Sequence, residues 1–385
     1  MPHKNIKLLS WFYFFLDFKL YSAVLVLYFS EVTGSFAFGM SIYSVIFLSQ
    51  AILEVPTGIF SDMVGRKITF VLGMICSIFA VLSYGLANGY WILMLGGVLE
   101  GASRSFFSGT DEATLHDSLK EVGKDSEFLH HQGRISSMDQ LGLGLSAALG
   151  GVVAYFTSYK LIIFLTLIPQ TLALLTCLRF LEPKIFTRNE SNVFSHLKTA
   201  LREFRRNRKL RYLSLSDVYR FAIGESVFLF RPAFYALFWP VWAIGLAGTI
   251  SYLVASLGFY FAGPVAKRFS AFKLLIGEVL LNRLINFTGL LFPSVLSPAI
   301  MTMTAIPYGP SHVALRTLMQ KEFTDKQRAT MGSLNSLLSN ILFAIFAYGL
   351  GTLADQLGPS NGLLVLNILM LLVVVLYWKA FKSAV

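Results

Sequence analysis

Glu100, Arg104 and Asp111 stand inside one long apolar stretch. At 100° per residue, their i, i+4 and i+11 spacing keeps them within about 40° of one helix face. Two carboxylates flanking a guanidinium can hold a polar ligand by charge-assisted hydrogen bonds or pass a proton. Similar groups recur elsewhere. Tyr13, Asp17, Tyr21 and Tyr28 share a face of the first apolar run, and Asp217, Arg220, Arg231 and Tyr235 share one in a later run. Tyr308 and His312, with Arg316 to one side, form another group. Sites built from Arg, carboxylates and Tyr suit an anionic or zwitterionic solute better than a greasy cation. Asp17 and Asp111 are the candidate proton carriers, because such a group must change charge in a water-accessible place of low dielectric. The competing reading is structural, with the charges neutralising one another and Glu100 paired with Arg104 above all. Lys19, two residues from Asp17, cannot share its face and reads as structural or snorkelling. Glu54, Glu112, Asp139, Glu225 and Glu278 rank lower, since a carboxylate inside a bundle can be neutral or bonded to Ser and Thr.

The elements that position these residues follow from composition. The 385 residues are 55% hydrophobic and 14% charged, with 35 Phe and a mean hydropathy of +0.64. Soluble domains carry about 25% charged residues, so this chain takes a bilayer as its solvent. A helical span needs about 20 apolar residues. The runs between Gly, Pro and charge clusters parse into twelve spans, at 8–29, 36–60, 68–88, 91–117, 135–157, 159–180, 211–237, 239–266, 272–292, 297–320, 329–354 and 360–380. The expected fold is an all-α integral membrane protein of two six-helix bundles, 1–181 and 211–385. Between them lies a basic amphipathic linker, 182–210, with Phe194, Leu197, Leu201 and Phe204 at helical spacing among arginines.

Charge placement gives the expected orientation. The turns 30–36, 85–90 and 292–298 hold no Lys or Arg, whereas Arg66, Lys67, Lys120, Lys124, Lys267, Arg268, Lys326 and Arg328 fall on the opposite side. The positive-inside rule then puts both termini in the cytoplasm, in a bacterial inner membrane. The net charge of +11 reports this topology and not nucleic-acid binding, because the cations are spread over short loops. Lys4 and Lys7 before the first apolar run mimic a signal peptide, but the run is too long and lacks a small-residue cleavage site. Cys76 and Cys177 both fall inside spans, and the histidines lack zinc-ligand spacing, so no disulfide, metal or cofactor is expected. No Gly-x-x-x-x-Gly-Lys-Ser/Thr loop offers ATP hydrolysis.

Between the second and third spans stands Gly58-Ile-Phe-Ser-Asp62-Met-Val-Gly65-Arg66-Lys67. This pattern resembles the signature loop of the major facilitator superfamily, the largest group of secondary transporters. The resemblance covers nearly the whole chain, with fainter echoes at 263–268, in the openings of the fifth and eleventh spans, and at 351–358. It implies two bundles that alternate access to a central site, with spans one, four, seven and ten lining it. It also implies a conformational cluster of Asp62, Arg66 and Asp117, supported by Gly58, Gly65 and Lys67, and a functional monomer. The expected partners are a small-molecule solute, protons and lipids. The sequence departs from family exporters in one respect: Gly97 stands four residues before Gly101, where an Arg is common. The fifth run's Gly142, Gly144, Gly150 and Gly151 resemble the glycine-rich stretch of antiporters without its Gly-Pro pair. Drug efflux by proton exchange and transport of a carboxylate-type siderophore or metal chelate are therefore alternatives to carriage of a polar metabolite. From other classes come a non-transporting sensor and a lipid-modifying enzyme, the latter resting only on His116-Asp117, whose side chains on a helix point about 100° apart.

Overall fold

The computed structural model describes residues 3–182, 207–322 and 328–382. Among the described residues every regular element is helical. The linker amphipathicity expected at 182–210 falls mostly on 183–206, outside the described residues.

Among the described residues seven stretches are long and apolar enough to cross a membrane: 36–64, 66–86, 159–178, 241–260, 271–291, 331–357 and 359–382. The remaining predicted spans carry charges or are interrupted. The first is α1 (His3–Asp17) and α2 (Leu25–Thr33), separated at 18–24. Inside the gap the Lys19 amide donates to the Asp17 carbonyl at 2.8 Å, and no i→i+4 ladder runs through it. The second and third are α3 (Phe36–Val64) and α4 (Arg66–Leu86). The fourth is α5 (Tyr90–Phe107) followed by α6 (Thr110–Lys120), broken where Gly109 takes φ +74°. Asp111 therefore stands on a different helix from Glu100 and Arg104, and the single three-residue stripe expected from the spacing does not exist. A left-handed glycine, invisible to a count of 100° per residue, divides it.

Contacts within the chain divide it into two units. The first comprises 1–34, 45–189 and 240–249. In it α7 (Phe128–Phe156) packs along α1, while α4 packs on α5 and on α8 (Tyr159–Leu178). Lipid is as apolar as leucine, so helices here associate through close packing and small residues, not through water exclusion. Gly150 shows this, since a β-carbon on it would lie 1.7 Å from the Leu20 carbonyl oxygen in the span-one gap. Phe12 anchors the interior, its ring 5.1 Å from Phe70, 5.4 Å from Phe107 and 5.7 Å from Phe180. Gln170 of α8 donates to the Leu16 carbonyl at 2.8 Å and so answers one acceptor left open at the end of α1.

The second unit comprises 35–44, 190–239 and 250–385. Its helices are α9 (Arg208–Tyr235), α10 (Val241–Tyr260, whose first half clusters with the other unit), α11 (Ala262–Arg268), α12 (Ala271–Leu291), α13 (Ser297–Thr302), α14 (Tyr308–Glu322), α15 (Arg328–Leu357), α16 (Pro359–Leu369) and α17 (Leu372–Lys382). Helix α9 packs against α15 and α17, and α12 against α14 and α16. The 351–358 echo has a structural job: the Asp355 carboxylate accepts the Phe36 and Ala37 amides at 2.7 and 3.0 Å and the Ser35 hydroxyl, capping α3.

Candidate substrate and coupling sites

In the first unit the gap in span one presents Lys19 to Glu100. The ammonium meets the carboxylate at 2.9 Å, and Arg104, one turn along α5, reaches the same oxygen at 3.0 Å. The Tyr84 hydroxyl donates to the other oxygen at 2.9 Å. Glu100 is only 3% exposed, so both oxygens are committed. The structural pairing of Glu100 with Arg104 is present, and of the two readings of Lys19, structural or snorkelling, its buried ion pair fits the structural one. Spacing along a regular helix placed it off the site, and the gap turns it inward. The Tyr21 ring packs edge-on to Tyr84 at 6.2 Å, and the Arg104 guanidinium lies 5.4 Å above the Phe47 ring.

Asp111 joins a second group. Its carboxylate accepts the Tyr13 hydroxyl at 2.8 Å, and Tyr13 lies in the field of Asp111, Asp17 and Asp139 together. Asp17 and Asp139 are within hydrogen-bonding reach of each other, and Gln140 donates to Asp139 at 3.0 Å. Two carboxyl groups can hydrogen-bond only if one carries a proton. Asp139, ranked low from sequence, thus becomes the partner of Asp17. It lies on α7, where a carboxylate inside a bilayer span is itself a functional signal.

The second unit holds a cluster rich in arginine. Arg220 of α9 pairs with Glu278 of α12 at 3.4 Å, donates to the Ser311 hydroxyl at 3.1 Å and sits 5.5 Å from the Tyr308 ring centre. Arg231 donates to Asn286 at 3.3 Å, and Arg283 donates to Asn367 at 2.5 Å. His312 packs on Phe259 and Tyr308 at 5.8 and 5.7 Å. Tyr235 is buried against Phe234 and Trp239, whereas Arg316 is exposed. Arg283 shares α12 with Glu278 and drew no reading from the sequence. Its position within a 21-residue apolar helix was the available clue.

The signature loop closes around Gly65, where φ is +106° and a β-carbon would approach Glu182 to 2.8 Å. The Glu182 carboxylate accepts the Arg66 and Lys67 amides at 2.6 and 2.9 Å, an anion on the positive end of α4. The Arg66 side chain donates to Ser61 and Asp62, both at 3.1 Å, and lies 3.9 Å from Asp117. Asp62, Arg66 and Asp117 are thus brought together at the end of α4. Glu182, beyond the last span of the first half, carried no motif. Gly58 has open space around it.

Ion pairs buried inside long apolar helices are the arrangement of a membrane protein that keeps charge within its spans. The Major Facilitator Superfamily profile matches residues 8–347, and the chain belongs to that family. It is 21% identical over 320 residues to an uncharacterized MFS-type transporter of Methanocaldococcus jannaschii, covering 82% of this chain and 81% of the relative. Its fold is similar to that of a point mutant of the nucleoside transporter NupG, with TM-score 0.83, 14% identity and coverage of 98% and 100% of the two chains. A bacterial homolog of the human lysosomal transporter Spinster superposes with TM-score 0.79 and 15% identity over 99% and 97% of the chains. A structure titled for substrate recognition in proton dependent oligopeptide transporters gives 0.75 and 14% over 100% and 98%.

Proposed function

We propose that this transporter carries a small anionic or zwitterionic solute by alternating access, coupled to protons, as a monomer in a bacterial inner membrane with both termini cytoplasmic. One observation carries the choice of solute. Arg231 and Arg283 are bound by the side-chain amides of Asn286 and Asn367, and among the described residues neither forms an ion pair. An amide fixes a guanidinium in place without cancelling its charge, so a carboxylate or phosphate on the solute would find two oriented forks. The likeness to a fold that includes proton dependent oligopeptide transporters, and a POT family transporter in complex with 5-aminolevulinic acid, agrees with a zwitterionic cargo. For coupling, two carboxyl groups that face each other make the Asp17–Asp139 pair a better candidate than Asp111, whose carboxylate already accepts the Tyr13 hydroxyl.

The test begins with comparison of medium and cell contents between a deletion strain and an overexpressing strain by untargeted mass spectrometry, followed by assay of the hit in proteoliposomes with an imposed pH gradient. An acidic or zwitterionic compound whose flux follows the gradient supports the reading. Transport of a lipophilic cation, or flux indifferent to the gradient, overturns the corresponding part.

A further inference from the structure

We propose that a crevice in the second unit binds an acyl chain of an anionic phospholipid, with Lys273 at its basic end holding the lipid phosphate. The crevice encloses about 680 Å³ and lies between α10 and α12 on a floor formed by the start of α14. Leu257, Phe261, Leu274, Leu281, Ile306 and Pro310 are among its walls. Leu257, Phe261, Leu281 and Ile306 are each 45–57% exposed. In a membrane-spanning unit, a nearly all-apolar opening of this kind faces hydrocarbon, since a water-filled path would carry polar walls.

Two features keep it open. On one side α10 and α14 meet at backbone distance, where a β-carbon on Gly309 would lie 2.3 Å from the Phe259 amide nitrogen. On the other, Gly277 of α12 leaves the wall without a side chain, and a β-carbon there would meet nothing within 4 Å. Gly277 has ordinary helical backbone and is not in the left-handed region. Glycine is the poorest helix former after proline, so no local conformational requirement explains it and the vacant slot is its structural consequence.

Dimensions and charge select the occupant. From Lys273 to Leu281, α12 rises about 12 Å at 1.5 Å per residue, close to the ~15 Å of hydrocarbon in one leaflet. The end of the crevice nearest the loop carries Lys273, and α11 closes its last turn with Lys267 and Arg268. Among the described residues none of these three forms an ion pair. Glu278 reaches the deep end, but it is held by Arg220 at 3.4 Å. A slot one leaflet deep, apolar inside and cationic at its mouth, is complementary to an acyl chain topped by a phosphate in the leaflet that faces the basic loops.

Native mass spectrometry of the purified full chain, titrated with phosphatidylglycerol or phosphatidylcholine of the same acyl composition, tests this directly. Wild type is expected to retain phosphatidylglycerol at least fivefold better. Lys273→Gln should abolish that preference while keeping phosphatidylcholine adducts. Gly277→Leu, whose side chain enters open space, should weaken retention of both lipids at least fivefold without changing helix content. Equal retention of the two lipids by wild type, or adducts unchanged in Gly277→Leu, would overturn the proposal. A dimer that Gly277→Leu disperses, with no lipid retained by wild type, would assign the crevice to a second copy and likewise overturn it.

Discussion

Lys19 and Glu100 meet at 2.9 Å in the first unit because span one stops being a helix at Asp17 and resumes at Leu25. The gap delivers a cation from one span to a carboxylate in another, and Glu100 becomes the only anion shared by Lys19 and Arg104 at ion-pair distance among the described residues. Removing one partner of a buried pair costs about 3–5 kcal/mol. Glu100→Gln should therefore lower the thermal midpoint far more than Lys19→Met, which leaves Glu100 paired with Arg104. The Lys19→Met/Glu100→Gln double variant should recover part of the loss, read by a thermal shift assay in detergent.

The Asp17–Asp139 pair gives a functional prediction. Asp17→Asn and Asp139→Asn should each abolish accumulation driven by a pH gradient while sparing solute exchange at equal pH on both sides. Proteoliposome assays separate the two modes. Unchanged accumulation in both variants would remove the pair from coupling and return attention to Asp111.

Arg231 and Arg283 should act on solute affinity. Replacing either with Gln removes a charge-assisted contact worth about 1.5–3 kcal/mol, so KM for the anionic solute should rise about tenfold or more, with a smaller effect on kcat. Uptake kinetics of the two variants beside Arg316→Gln, an exposed arginine, make the comparison. A KM change confined to Arg316→Gln would place the solute elsewhere.

Glu182 caps α4 through two backbone amides. Glu182→Gln keeps the shape and removes the charge, and should destabilise the first unit by about 1 kcal/mol. Hydrogen exchange should localise the loss to the amides of Arg66 and Lys67, with α9 unaffected.

Glu322 supplies a pH dependence outside the spans. Partial burial opposes its ionisation, yet hydrogen bonds from Lys209 and Asn207 and the Lys209 charge at 2.7 Å hold its carboxyl below the usual glutamate range. A carboxyl lowered on folding stabilises the folded chain above its unfolded pKa of about 4.3, and that contribution disappears as pH falls through the lower folded value. The difference in thermal midpoint between wild type and Glu322→Gln should be constant from pH 7 to 5 and shrink below pH 4.

The site was partly legible from single residues. Charges in apolar runs marked Asp17, Glu100, Arg104, Arg220 and Arg231, because each such charge must be answered by something. Which group answers it was not legible. Glu278, Asn286 and Asn367 come from α12 and α16, distant in sequence from the arginines they hold. The polar character of Asn and Gln gives little signal against Ser and Thr in the same spans.

The sequence alone determined the solvent, the helical class, the charge bias of the loops and the motif around Gly65. These follow from composition and from short patterns whose physics is local: transfer free energy per residue, helical periodicity and glycine conformation. Tertiary structure decided the breaks in spans one and four, the inward turn of Lys19, the union of Asp17 with Asp139 and the capping of α4 by Glu182. Each depends on groups brought together from different helices, such as the Leu20 carbonyl lying against Gly150. A helix breaks inside a bilayer only where neighbouring side chains and backbone can satisfy the freed polar groups, and those neighbours are set by packing, not by adjacency in the chain.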